Sequence, residues 1–395
     1  MRLPRLYVDL SVIAREDSAT GIQRVVRAVW QALQQKSGEQ FEVVPVAATA
    51  KRRYRRIPDH FLERPLRRLP WHWGRSRLSP KAGDVFLGLD LSTRVVANNA
   101  LQLREWHKRG VKLAFVVYDL LPVLHPDWFT EKAQESFRNW LDFIIREADC
   151  FACISRSVAD DLAHWIDDEK ISSPEIGSLR LGASIGGSRP SSGLPSGSAE
   201  TLAWARTGTC VMMVGTIEPR KGHDEVLAAF KDLWDNPQPD EDYRLLIVGR
   251  PGWKTEALQK QLRDHPLSGD RLRWIDNASD EYLEHLYGAC WGLVQASRGE
   301  GFGLPLLEAA AHAKPVLARD LPVFREVAPA GVEFFTDGSA AELAAALRKW
   351  RATGGATHVA NADLCWSNTA EDLLALIADP MRTGAALGGG ARERQ

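Results

Sequence analysis

Two loops carry the residues best suited to chemistry. Gly215-Thr216-Ile217-Glu218-Pro219-Arg220-Lys221-Gly222 leaves an apolar run and enters a stretch of helical period, so two adjacent cations and free backbone amides stand where an anion would dock. A phosphate or diphosphate is the natural guest; a solvated cationic turn is the alternative reading. Downstream, Gly299-Glu300-Gly301-Phe302-Gly303-Leu304-Pro305 follows another apolar run and puts three glycines within five positions, so backbone can approach a ligand closely. Pro305 suits the first helical position, with Glu308 on the next turn, eight positions after Glu300. Amides at that helix start would face a diphosphate, and a carboxylate on the helix could accept hydrogen bonds from a ribose diol. Complementing the helix dipole remains open for Glu308, as does a place on the surface for Glu300.

These loops need strands to hold them. Short apolar runs rich in β-branched residues alternate with longer stretches of helical period, the pattern of an α/β chain with parallel sheets covered on both faces. In the first half the expected strands are Leu6–Leu10, Phe41–Val46, Asp84–Leu87, Leu113–Tyr118, Cys150–Ile154 and Ser178–Leu181, with helices around 21–35, 98–109, 131–148 and 156–167. In the second half they are Cys210–Val214, Arg244–Val248, Leu272–Ile275, Gly292–Ala296, Pro315–Ala318 and Glu333–Phe335. A Gly-, Ser- and Pro-rich stretch marks a linker at 184–203, between a domain at 1–183 and another at 204–365. A last helix, 366–380, follows, and 381–395 has the composition of a disordered tail. Sheets of this kind bind ligands beyond the carboxyl ends of their strands, where both loops lie.

The 395-residue length suits two domains rather than one core. A net charge of −1 gives no global attraction to nucleic acid or membrane, and no nucleic-acid partner is expected. Five cysteines, an odd number in apolar surroundings, read as reduced, buried thiols, and Cys150/Cys153 as structural. With no signal segment and no run long enough to span a bilayer, the expected location is cytoplasmic. The exception to the even charge is the segment 51–78, where Arg52, Arg53, Arg55, Arg56, Arg64, Arg67, Arg68, Arg75 and Arg77 are interleaved with Trp71 and Trp73. It reads either as a contact with an anionic membrane surface at the inner face of the cytoplasmic membrane or as a solvated loop.

The motifs together resemble retaining glycosyltransferase family 4, of GT-B fold, and within it bacterial mannosyl- and rhamnosyltransferases of surface polysaccharides such as lipopolysaccharide O-antigen and capsule. The resemblance rests on Val-Gly-Thr-Ile-Glu-Pro-Arg-Lys-Gly (214–222), Leu-Ile-Val-Gly (246–249), Leu-Tyr-Gly-Ala (286–289), Glu-Gly-Phe-Gly-Leu-Pro-Leu-Leu-Glu (300–308) and Pro-Val-Leu-Ala-Arg-Asp (315–320). Weaker matches in the first half are Thr20-Gly21-Ile22-Gln23-Arg24, Tyr118-Asp119-Leu120-Leu121-Pro122 and Ile154-Ser155-Arg156-Ser157. It implies an N-terminal acceptor-binding domain, a C-terminal nucleotide-sugar-binding domain, a cleft between them and a terminal helix packing back toward the first. Arg220 and Lys221 become the clamp on the donor diphosphate, Glu308 the ribose ligand, and Glu300 the contact to the transferred sugar. Gly301 and the amides of Phe302, Gly303 and Leu304 complete the pocket; Thr216, Gly249, Arg250 and Asn277 flank the donor, and Gly21 approaches from the other domain.

Two positions depart from the family pattern. Thr216 stands where an arginine is common, and Tyr118 where a histidine often contacts the donor sugar. Tyr118, Asp119, His125 and Ser155 are the candidates on the acceptor side, with capping and surface roles open to Asp119 and His125. The implied reaction moves a hexose, first mannose from GDP-mannose, to a glycan or polyprenyl-linked glycan, with retention and with neither cofactor nor metal. Alternatives are dTDP-rhamnose, a GDP-deoxyhexose or a UDP-sugar as donor, a sugar-nucleotide epimerase, and a catalytically inactive sugar-nucleotide sensor.

Overall fold

The computed structural model describes residues 2–17, 20–62, 78–168, 174–184, 193–336, 338–355, 357 and 365–378. They form two units: one comprises 1–124, 131–182 and the chain from 363 onward, the other 125–130 and 183–362.

Among the described residues the first unit is built on seven strands, β1 (Arg5–Asp9), β2 (Glu42–Thr49), β3 (Arg52–Arg56), β4 (Val85–Gly88), β5 (Lys112–Val117), β6 (Cys150–Cys153) and β7 (Glu175–Ser178). They lie in the order β3-β2-β1-β4-β5-β6-β7. All neighbours are parallel except β2 and β3. β4 and β6 are buried along their whole length, which is why they read as unbroken apolar runs. The helix Gly21–Gln35 starts where the Thr20 side chain accepts the Gln23 amide, and it buries Val25, Val26, Val29, Trp30 and Leu33 along one face.

Two elements here differ from the sequence reading. The start of the basic segment is a strand, β3, whose four arginines are exposed on the sheet edge while Tyr54 alone is buried. Charged side chains on an edge strand discourage pairing with another chain, which gives these arginines a structural use. The residues from Glu63 to Arg77, including Arg64, Arg67, Arg68, Trp71, Trp73, Arg75 and Arg77, lie outside the described residues. The last strand ends at Ser178 rather than running over Ser178–Leu181. Beyond it the backbone bonds to the helix Trp366–Ala378: Asp372 accepts the Arg180 amide, and the Thr369 hydroxyl donates to the Arg180 carbonyl and accepts from Gly182. That helix buries Leu373, Leu374, Leu376 and Ile377 in the first unit and is ion-paired to it through Lys36–Glu371 and Arg180–Asp372, both at 2.7 Å.

Among the described residues the second unit has six parallel strands, β8 (Thr209–Val214), β9 (Tyr243–Val248), β10 (Leu272–Ile275), β11 (Gly292–Gln295), β12 (Val316–Arg319) and β13 (Glu333–Phe335), ordered β10-β9-β8-β11-β12-β13. Alternate residues of β8 feed opposite cores: Val211 and Met213 join Phe230, Leu245 and Trp350, whereas Cys210 and Met212 join Leu246, Leu286 and Leu306. The strand order reverses between β8 and β11, so their loops meet at the switch point. The stretch read as linker ends in a helix, Ser198–Ala205, whose Leu202 and Trp204 are buried in this unit's core.

Candidate active site

The two chemistry-bearing loops leave β8 and β11, the strands on either side of the switch point. After β8, Pro219–Lys221 forms a single 3-10 turn, Gly222 takes the left-handed conformation (φ 70°), and the helix His223–Asp235 begins. A β-carbon at Gly222 would stand 2.3 Å from the Ala296 carbonyl oxygen, so only glycine lets this turn press against the end of β11. Ile217 bonds to the Arg250 carbonyl, and the Thr255 hydroxyl to the Ile217 carbonyl, tying the β8 loop to the β9 loop.

Glu300 stands at the centre of this arrangement. Lys221 Nζ lies 2.5 Å from its Oε1 and Arg220 Nη1 2.8 Å from its Oε2. Ser297 and Gln295 also donate to Oε1, at 2.7 and 3.3 Å. Arg220 spans further, to the Gly299 carbonyl at 2.9 Å and to Glu218 at 3.0 Å. The sequence reading aimed both cations at a guest diphosphate and Glu300 at a sugar; the structure brings all three into one charge-paired cluster whose side chains are at most 15% exposed. Burial alone would push the Glu300 carboxyl up, but Lys221 and Arg220 outweigh it and hold it at about 2, against an ordinary 4.5. A lowered carboxylate pKa contributes stability that is present above the unfolded value and lost only as pH falls through the folded one. Glu300 is therefore expected to stay ionised from pH 5 to 9; a stability profile with a Glu300-dependent step in that range, seen against Glu300→Gln, would contradict this.

Glu308 sits in the short helix Leu304–Ala311, which opens after Gly303 (φ 108°) with Pro305 in its first two positions. Glu308 is almost wholly buried and accepts from Tyr287 Oη at 2.7 Å. The amides of Phe302, Gly303 and Leu304 lie at that helix start, and Gly301 is buried beside them. Thr216 follows Gly215 at the carboxyl end of β8, Gly249 and Arg250 follow β9, and Asn277 follows β10, with Arg250 and Asn277 exposed. Gly249 donates to Ile275 and its carbonyl accepts from Trp274 Nε1 at 2.8 Å.

The candidates on the acceptor side fare differently. Tyr118 is buried, and its hydroxyl donates to the Leu89 carbonyl at 2.7 Å, so it braces the sheet instead of facing a ligand. Ser155 is also buried and its hydroxyl accepts the Val158 amide at the start of the helix Arg156–Asp168, while Asp119 accepts the Leu121 amide. His125 is exposed and stacked on Trp128 at 4.1 Å. It belongs to the second unit: Trp253 donates to the Trp128 carbonyl, and Lys254 to the carbonyls of Asp127 and Phe129. Gly21 opens its helix with nothing within 4 Å of its β-carbon position.

Three features were missed from the sequence. At the equivalent switch point of the first unit, between β1 and β4, Asp9 and Asp90 are both buried. Asp9 accepts from Ser11, Ser92 and Tyr54, and Asp90 from the amides of Val12 and Ile13, so together they hold the loop leading toward Gly21. Burial pushes the Asp90 carboxyl up to about 7, against those amide bonds, with Asp9 adding to the rise. In the second unit buried His223 has no hydrogen-bond partner for either ring nitrogen among the described residues, and burial followed by Lys221 drives it down to about 3, so it is neutral. Finally, Cys365 is exposed, unlike the four buried cysteines; burial raises Cys150 to about 12 and Cys153 further.

This geometry has relatives. Residues 199–358, within the second unit, match the family described as glycosyl transferases group 1, and the chain has the fold of the GT-B glycosyltransferases. Sucrose-phosphate synthase from Thermosynechococcus elongatus shares that fold with a TM-score of 0.61 over 95% of each chain, at 18% identity. The serotype-specific mannosyltransferase WbdA of Escherichia coli is 35% identical over 386 residues, which are 94% of this chain and 46% of WbdA. The O-antigen chain mannosyltransferase RfbU of Salmonella typhimurium is 28% identical over 214 residues, 53% of either chain. The chain thus spans about half the length of the curated relatives it matches.

Proposed function

We propose that this chain is a retaining hexosyltransferase that moves mannose from GDP-mannose to a glycan or lipid-linked glycan acceptor in surface polysaccharide synthesis. The observation that carries the reading is the meeting of Arg220, Lys221 and Glu300 at the switch point of a group 1 domain. The names of WbdA and RfbU support mannose as the sugar.

In such a transfer the bond from the anomeric carbon to the diphosphate breaks and negative charge gathers on the phosphate oxygens. Arg220 and Lys221 are placed to take up that charge, exchanging Glu300 for phosphate, while Glu300 turns to the sugar hydroxyls. An acceptor oxygen bonds to the anomeric carbon on the face that the diphosphate leaves, and its proton passes to a leaving phosphate oxygen. Glu308, held by Tyr287, receives the ribose hydroxyls. The diphosphate charge is met by two side-chain cations and helix-end amides, so the reaction is proposed to need neither divalent metal nor cofactor.

A thermal-shift panel of GDP-mannose, dTDP-rhamnose, GDP-linked deoxyhexoses and UDP-sugars tests the donor. At 100 times its dissociation constant the donor stabilises the fold by about 2.7 kcal/mol. GDP-mannose is expected to give the largest shift, weakened in Glu308→Ala; a larger shift with another donor replaces mannose, and none with any donor removes the reading.

We also propose that the protein works in the cytoplasm against the inner membrane face, using the basic segment that begins with β3. Arg52, Arg53, Arg55 and Arg56 are exposed there, and each cation close to anionic headgroups contributes about 1 kcal/mol. No helix among the described residues is long and apolar enough to cross a membrane. Flotation with phosphatidylserine vesicles should recover the wild type and lose a variant with all four arginines changed to serine; equal recovery rules the contact out.

A further inference from the structure

Arg298 and Arg319 lie beside the proposed donor clamp without entering it, and neither was singled out by sequence. Arg298 sits two positions before Glu300 on the β11 loop. Its amide donates to the Arg220 carbonyl at 2.7 Å, and its Nη1 to the Pro219 carbonyl at 2.6 Å. The same guanidinium reaches Glu225 Oε1 through Nε (2.9 Å) and Nη2 (2.6 Å), and Asp224 at 2.9 Å. Arg319, buried at the end of β12, donates to the Ala296 carbonyl at 3.1 Å and is ion-paired with the other oxygen of Glu225. Glu225, in the first turn of the helix His223–Asp235, is therefore shared by two arginines from two neighbouring strand ends.

We propose that Arg298 is a positioning residue for transfer: with Glu225 and Arg319 it staples the loop carrying Arg220 and Lys221 to the loop carrying Glu300. The proposal rests on the donor clamp described above. The chemistry favours a positioning role over a general contribution to stability because Arg298 bonds the two consecutive carbonyls, at 219 and 220, that bracket the Arg220 residue. The backbone amide holds the Arg220 carbonyl, and the forked guanidinium satisfies the Pro219 carbonyl, Glu225 and Asp224 together, which a lysine ammonium with its single nitrogen cannot reproduce. Without the guanidinium the Arg298 amide still holds the Arg220 carbonyl, but the Arg220 side chain is steered by Glu218, the Gly299 carbonyl and Glu300, and Glu300 is the carboxylate that must change partner when a donor arrives. The clamp would then follow Glu300 instead of holding still while charge develops on the diphosphate, and preorganised charges are what such a transition state needs.

Two measurements on Arg298→Met, Glu225→Gln and the double variant test this. Hydrogen exchange should quicken at the amides of 217, 218 and 220–222 in each variant while the β8 amides keep their protection. In steady-state transfer, kcat should fall about tenfold with donor KM changed less than threefold, and the double variant should be no slower than the worse single one. Arg298→Lys should recover only part of the loss. Unchanged exchange at 217, 218 and 220–222 overturns the staple whether or not the wild type transfers sugar. Unchanged kcat, or a loss confined to melting temperature or KM, overturns its positioning role. A wild type inactive with every donor instead removes the proposed function, leaving the exchange result to decide the staple alone.

Discussion

Arg220→Ala is expected to lower sugar transfer by about 10²–10³ in turnover, with a smaller change in donor KM. Arg220 touches Glu218, Glu300 and the Gly299 carbonyl at once, so its removal strips the leaving diphosphate of a cation and leaves the two buried carboxylates without the guanidinium between them. Lys221 remains on Glu300 and preserves part of the pocket, so binding should outlast catalysis. Single-turnover and steady-state rates on purified protein measure this; turnover within threefold of the wild type would mean that the guanidinium plays no part in the chemistry.

Gly249→Ala is expected to be the most damaging small substitution in the second unit. A β-carbon there would lie 1.8 Å from the Gly215 carbonyl oxygen, which is backbone and cannot swing aside as a side chain would. The Gly215 and Gly249 amides are themselves engaged, with Val248 and Ile275, so the two loops cannot part without losing sheet-end bonds. Overpacking of this kind costs about 1–3 kcal/mol, and the lost bonds add to it. Chemical denaturation should show a loss of about 3 kcal/mol with donor affinity falling in parallel; an unchanged midpoint would mean that the loops are less closely packed than described.

How much of this was legible depended on whether the signal was local. The strands of the second unit fall within one residue of their expected ends, because they are short apolar runs and most are closed directly by glycine or aspartate. The two chemical loops were legible from their glycines and paired charges, as was the cap at Asp119 as an alternative to a catalytic role. What stayed hidden was pairing across the sheet. Glu300 meets Arg220 from 80 residues away only because β11 lies beside β8, and no local pattern encodes that order. The Asp9–Tyr54 bond is hidden for the same reason, and β3 was masked because its four arginines leave Tyr54 as the single buried position. Trp128 and Phe129 read as part of the first domain, yet their backbone carbonyls are bound by Trp253 and Lys254 of the second unit.

Equilibrium titration of GDP against guanosine, repeated with the UDP/uridine and dTDP/thymidine pairs, isolates the phosphate contribution to binding. For the donor's own base, the diphosphate should bind at least 100-fold more tightly than its nucleoside, and most of that advantage should vanish in the Arg220→Ala/Lys221→Ala double variant. Equal affinity of diphosphate and nucleoside in the wild type, or a diphosphate advantage untouched by removing both cations, would contradict the assignment of this cluster to an activated sugar.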